Sequence, residues 1–165
     1  MLAIGDKVVY PMHGAGVIEA IEAHEVMGCC QDYYILTMPY GGMRVMIPLD
    51  KTERIGLRGI IAPEEIAKVA EILHESSPVN TISWNKRLNL YLSKIKSGDI
   101  FEVAEVVRNL ARQDVSKKLS AGERRLLDTA RKILVSELVL ACGKDVAETE
   151  LWVSSLLKES ELAGD

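Results

Sequence analysis

Apolar and polar positions alternate at short range through the first sixty residues, then settle into a spacing of three and four. Asp6 to Tyr10 reads as a short strand, ended by Pro11 and by a turn over Met12 to Gly16 whose glycines suit positive φ. Val17 to Val26 partly alternates, the pattern of a half-buried strand. Gly28 opens a turn through Asp32, and Tyr33 to Met38 is a continuous β-rich run such as a more central strand shows. Pro39-Tyr40-Gly41-Gly42 predicts a hairpin loop, Met43 to Pro48 the returning strand, and Glu53 to Leu57 a last short one. Strands this short with turns this tight predict a small curled sheet or barrel, the size of an SH3- or Tudor-like module, with at least one open edge.

From Pro63, which suits a first helical position, the period becomes helical. Ile66, Val69, Ala70 and Leu73 recur at i, i+3, i+4 and i+7, one apolar stripe. Ser76-Ser77-Pro78 ends that helix, and residues 76–83 read as a polar connector. A second helix starts near Ser83 or Trp84 with Leu88, Tyr91, Leu92 and Ile95 on one face. Gly98 then supplies a left-handed stop, and Asp99 caps a helix that buries Ile100, Val103, Ala104, Val107, Leu110 and Ala111. Ser120-Ala121-Gly122-Glu123 is a capping box opening a long helix with Leu126, Leu127, Ala130, Ile133, Leu134, Leu138 and Ala141 inward, closed by Gly143. A final helix runs from Asp145 to about Lys158. The expected fold is therefore α+β: a small Tudor-like β-barrel domain over residues 1–60, followed by a compact all-helical domain over 61–165, each folding alone.

Composition narrows the class of function. Hydrophobic residues at 48% and charged residues at 27% suit a globular chain, with aromatics scarce at 5%. The longest mostly apolar stretch, Ile133 to Cys142, is broken by Ser136 and Glu137 and falls short of the roughly 20 residues a membrane span needs. No basic-then-apolar leader opens the chain, so a cytoplasmic protein without membrane contact is expected. Cys29, Cys30 and Cys142 have no metal-ligand spacing, which predicts reduced thiols and no metal site or cofactor. The net charge of −4 hides a basic block: residues 84–144 carry 13 Lys+Arg against 7 Asp+Glu, while residues 145–165 carry 1 against 6. Screening over roughly 8–10 Å lets such a block act locally.

Catalytic chemistry has little to stand on. His13, His24 and His74 sit in no nucleophile or metal motif, and Gly14-Ala15-Gly16 is too short to cradle a phosphate and precedes a strand. An enzyme is not expected. The informative segment is Asn80 to Leu88, where Trp84 stands at a helix start beside Lys86 and Arg87. The ring can pack inward, because Leu88, Tyr91, Leu92 and Ile95 share its spacing. Alternatively it is an apolar wedge flanked by cations, the device by which minor-groove binders lever at a base step.

Several motifs carry a family resemblance. Gly5-Asp6-Lys7-Val8-Val9-Tyr10-Pro11-Met12-His13-Gly14 resembles the opening of CarD/CdnL proteins. In the helical half the resemblance continues through Trp84-Asn85-Lys86-Arg87, Leu92 to Asp99, Val103 to Leu110 and Leu119 to Arg125. It implies a Tudor-like domain that docks on the RNA polymerase β subunit, as the related domain of the transcription-repair coupling factor does. It also implies a helical domain touching promoter DNA at the upstream edge of the transcription bubble. Trp84 would wedge into the minor groove and stabilise the open complex, while Lys86, Arg87 and Arg124 contact the backbone with little sequence specificity. At Asn85-Lys86 the chain departs from members with a more basic run after the tryptophan. Polymerase docking is expected along the open sheet edge, strand to strand, at Arg44, Val45, Met46 and Pro48 and near His24. A monomer is expected on the polymerase. The rival readings are a protein-binding adaptor without DNA contact, and an enzyme working through one of the thiols.

Overall fold

A computed structural model describes residues 2–76 and 83–163, with side chains to Lys158. The connector expected over residues 76–83 falls mostly on residues 77–82, outside the described residues.

The N-terminal half is one antiparallel sheet of β1 (Lys7–Tyr10), β2 (Gly14–Val26), β3 (Cys29–Thr37), β4 (Arg44–Pro48) and β5 (Arg58–Gly59), in the order β4-β3-β2-β1-β5. The fold class is the one expected, but the sheet is open rather than closed into a barrel, because β4 and β5 lie at opposite edges. Val8, Ile18, Tyr34, Leu36, Met38 and Ile47 form the core on one face, and Val45, Leu49, Ile55 and Leu57 pack against it.

Two expectations change here. The strand predicted over Glu53 to Leu57 is a helical turn, α1 (Thr52–Ile55), and β5 follows only at Arg58. Gly56 at φ 82 donates its N–H to the carbonyls of Thr52 and Glu53 and stops the turn. Ile55 and Leu57 both face the sheet core, so one turn of helix mimics a two-residue period. The glycine turn expected over Met12 to Gly16 is instead largely the start of β2. Gly14 keeps the expected positive φ, at 110, and both glycines are also required by close approach: a Cβ on Gly14 would lie 2.7 Å from Ser136 Oγ, and one on Gly16 2.8 Å from the Thr37 carbonyl.

The helical half comprises α2 (Ile66–His74), α3 (Trp84–Lys96), α4 (Ile100–Ser116), α5 (Ala121–Cys142) and α6 (Val146–Ala163). Asp99 caps α4 by accepting from the Phe101 N–H, the capping box of α5 is formed as expected, and Gly143 ends that helix at φ 72. The predicted stripes become the core: Val69, Leu73, Tyr91, Ile95, Val103, Val107, Leu110, Leu134 and Leu138 are all buried. No described helix is long and apolar enough to cross a membrane.

A polar seam joins the halves. Glu137, 2% exposed in the C-terminal part of α5, receives Arg58 in a two-pronged ion pair, with Nη1 to Oε2 at 2.9 Å and Nη2 to Oε1 at 2.7 Å. The Ile61 N–H donates to the same carboxylate at 2.9 Å, and Arg58 Nε donates to the Gly98 carbonyl at 2.7 Å. One residue earlier in α5, Ser136 Oγ accepts from the Ala15 N–H at 2.8 Å and donates to the Ile133 carbonyl. Tyr40 donates to Glu150 across the same seam, and burial, reinforced by that carboxylate, pushes its hydroxyl above the usual tyrosine range.

Candidate nucleic-acid interface and docking edge

Trp84 is the first residue of α3, after Ser83 in an extended conformation. The ring is half-buried, and it is not among the side chains packed on the helical core, whereas Tyr91 and Trp152 are. Its cation neighbour is Arg87, one turn along α3, with Cζ 5.2 Å from the ring centroid. Arg87 in turn faces Glu123 on the first turn of α5, Nη2 to Oε2 at 3.9 Å. That bridge sets the start of α3 against the start of α5. Lys86 is exposed beside Arg87 in the chain, and Arg124, which follows Glu123, is exposed and paired with Asp114 at 2.9 Å.

Glu123 is 8% exposed. Burial, the largest single influence, would push its carboxyl up. The Ser120 N–H, the Gln113 amide, the Ser120 hydroxyl and the Arg87 charge together outweigh it and hold the group below the usual carboxylate range. The carboxylate therefore stays ionised beside the guanidinium.

In the sheet, β4 is an edge strand, paired with β3 through Arg44↔Thr37 to Pro48↔Tyr33. Its side chains divide by face. Ile47 is buried in the sheet core and Val45 packs against it, while Met46 is 45% exposed and Arg44 stands outward. Of Val45, then, the core takes the side chain and leaves the edge only the backbone. Half-buried Pro48 ends the strand. Arg44 lies 3.4 Å from Glu19 and 3.5 Å from Glu22, and Glu22 also meets His24 Nε2 at 2.9 Å. The His24 hydrogen bond is the first cause holding Glu22 below its usual range. His24 touches the Tyr33 ring edge-on at 5.9 Å. The register brings Arg44 and His24, twenty residues apart in sequence, onto one acidic patch.

Cys29 and Cys30 are exposed at the start of β3, and Cys142 ends α5, where burial pushes its thiol up and away from the nucleophilic thiolate.

Two family descriptions account for nearly the whole chain: "CarD-like/TRCF RID domain" over residues 2–61, and "CarD, C-terminal domain" over residues 68–154. The chain belongs to the CarD family. Membership makes it a transcription regulator. It is similar to a Bacillus subtilis (strain 168) protein named "Putative transcription factor YdeB", with 40% identity over 143 residues covering 87% of this chain and 94% of that one. A solved structure, the 72-residue N-terminal domain of Myxococcus xanthus CarD in solution, matches at 37% identity with a TM-score of 0.32. It covers 36% of this chain and 79% of that one.

On this CarD-family chain, sequence reasoning nominated Trp84, Lys86, Arg87 and Arg124, and the structure places all four in the first turns of α3 and α5. Arg87 is the outlier, with its side chain 18% exposed and turned between Trp84 and Glu123 rather than outward. Sequence reasoning missed the carboxylates that tie the cations: Glu123 and Asp114 in the helical half, Glu19 and Glu22 in the sheet. Glu123 was legible only as a cap, because nothing along the chain says that α3 starts beside it.

Proposed function

We propose that the chain docks on the RNA polymerase β subunit through the β4 edge of residues 1–60, and stabilises the open promoter complex through residues 61–165. The observation that carries this is Trp84: a tryptophan left off the apolar core, at a helix start, with cations on the adjoining turns. An aromatic wedge between phosphate-holding cations is suited to a partly unstacked base step in the minor groove at the upstream edge of the bubble. Lys86 and Arg124 hold phosphates, and Arg87 adds its charge beside the ring. β4 offers an unpaired strand edge, to which a strand of the β subunit can add by main-chain hydrogen bonds. Arg44, Met46, Pro48 and nearby His24 supply the side-chain contacts.

Two outcomes follow. Arg44→Glu weakens binding to the β subunit, measured by pull-down with the full chain, and leaves the thermal melt of the helical half unchanged. A third acid beside Glu19 and Glu22 repels any acidic partner and slows association at an interface rim. Unchanged binding moves the docking site off β4.

Affinity for duplex DNA falls with salt along a log–log slope of about −2, with Lys86→Ala and Arg124→Ala each reducing its magnitude by about 0.9. A flat response favours the second reading, an adaptor that binds protein alone. The pairing of Arg124 with Asp114 and of Arg87 with Glu123 is what keeps that reading open.

A further inference from the structure

Arg87 is poorly placed for a phosphate contact and well placed for something else. Its side chain is 82% covered, and its Nε is buried without a hydrogen-bond partner. Two things orient the guanidinium: the Trp84 ring 5.2 Å away and the Glu123 carboxylate at 3.9 Å. The other cations lining the same cleft have carboxylates of their own, Lys94 with Glu105 and Arg108 with Glu75.

Glu123 is itself held on three sides. Its Oε1 accepts from the Ser120 N–H at 3.1 Å, its Oε2 accepts from Gln113 Nε2, and its own N–H donates to Ser120 Oγ at 3.2 Å. A carboxylate fixed by a capping box cannot follow the guanidinium, so the guanidinium must settle to it. We infer that Glu123 and Arg87 are positioning residues for Trp84: the cap of α5 fixes Glu123, Glu123 fixes Arg87, and the planar guanidinium sets the pose of the indole before DNA arrives. This rests on the wedge reading of Trp84 and adds to it why the ring is ready to insert. A wedge held in one orientation loses less side-chain freedom on insertion.

Glu123→Gln keeps the capping box, which accepts Gln as well as Glu at this position, but removes the negative charge facing Arg87. On electrostatics alone, deleting an acid beside a DNA-contacting surface strengthens DNA binding and lengthens the open complex. As a positioning defect it shortens it. Arg87→Lys is the companion variant: it keeps the charge, and with it any phosphate contact, but loses the flat guanidinium that stacks on the ring.

The full chain labelled with 5-fluorotryptophan gives two 19F resonances, one each for Trp84 and Trp152, and Trp84→Phe identifies the first. The expected result is that Glu123→Gln and Arg87→Lys each shift the Trp84 resonance and raise its H2O/D2O sensitivity, leaving that of Trp152 in place. Both also shorten the heparin-challenge lifetime of the open complex towards that of Trp84→Ala, without changing the DNA salt slope in the case of Arg87→Lys. An unmoved Trp84 resonance in both variants overturns the positioning role, whatever Trp84 does on DNA. A lengthened open complex with Glu123→Gln overturns it too. A moved resonance together with a lifetime insensitive even to Trp84→Ala leaves the positioning intact and removes the wedge.

Discussion

Glu137→Ala separates the two halves of the molecule. The substitution leaves Arg58 without its ion pair and the Ile61 N–H without an acceptor, inside a seam where the carboxylate was 2% exposed. Removing one partner of a buried ion pair costs about 3–5 kcal/mol, mostly through the group left behind. Arg58 is 31% exposed, so water recovers part of that loss and the lower end of the range is expected. If residues 1–60 and 61–165 fold alone, as their separate cores propose, the cost is also capped at the coupling between them. Scanning calorimetry then resolves one transition into two. Limited proteolysis begins to cut near Ala62-Pro63, where the chain leaves the seam for α2. The double variant Arg58→Met with Glu137→Leu restores most of the coupling, because a buried pair replaced by apolar side chains of similar size is often neutral. A single unshifted transition for Glu137→Ala shows instead that the seam contributes little. For function the seam matters as a spacer: it fixes how far Trp84 lies from the β4 edge. Glu137→Ala should therefore preserve β-subunit binding while weakening the effect on the open complex.

Trp84→Ala has the opposite profile. It leaves the fold and the β-subunit affinity intact, and shortens the open-complex lifetime several-fold. Partial unstacking of a base step costs a few kcal/mol, which the inserted ring must offset by its own contact. The effect therefore falls on the melted promoter alone. Truncating a tryptophan that belonged to the core would cost about 3–5 kcal/mol of stability. For a domain protein of this size, that lowers the melting temperature by roughly 6–20 °C. The half-buried ring, off the helical core, predicts a small melting shift instead. Thermal melting and heparin-challenge lifetimes on the same variant separate the two cases, and a large melting shift returns Trp84 to the core.

What the sequence made legible was whatever is encoded within one turn or one hairpin. The capping box at Ser120 and Glu123, the stop at Gly143 and the stripes of α4 and α5 are local patterns, and each stands where the pattern put it. Ile55 and Leu57 show the limit of such reading, since two apolar residues spaced by two fit a strand or one turn of helix ended by Gly56. The seam was invisible for a different reason. Glu137 lies in an apolar run and reads as an interruption, and Arg58 stands in no motif, while a separation of 79 positions conceals the pair. The same holds for Arg87 and Glu123. Charges near Trp84 suggest phosphate contacts until the ion pair between α3 and α5 shows which of them is already occupied.

On the proposed function, this CarD-family chain acts on the melted promoter while bound to polymerase. The most direct test is the heparin-challenge lifetime of open complexes formed by the cognate RNA polymerase on a promoter that opens slowly, with and without the full-length chain. The predicted result is a several-fold longer lifetime with the wild-type chain, lost with Trp84→Ala and with Arg44→Glu alike, the first without loss of β-subunit binding and the second because of it. A lifetime unchanged by a chain that is shown to be bound to the polymerase would contradict the account.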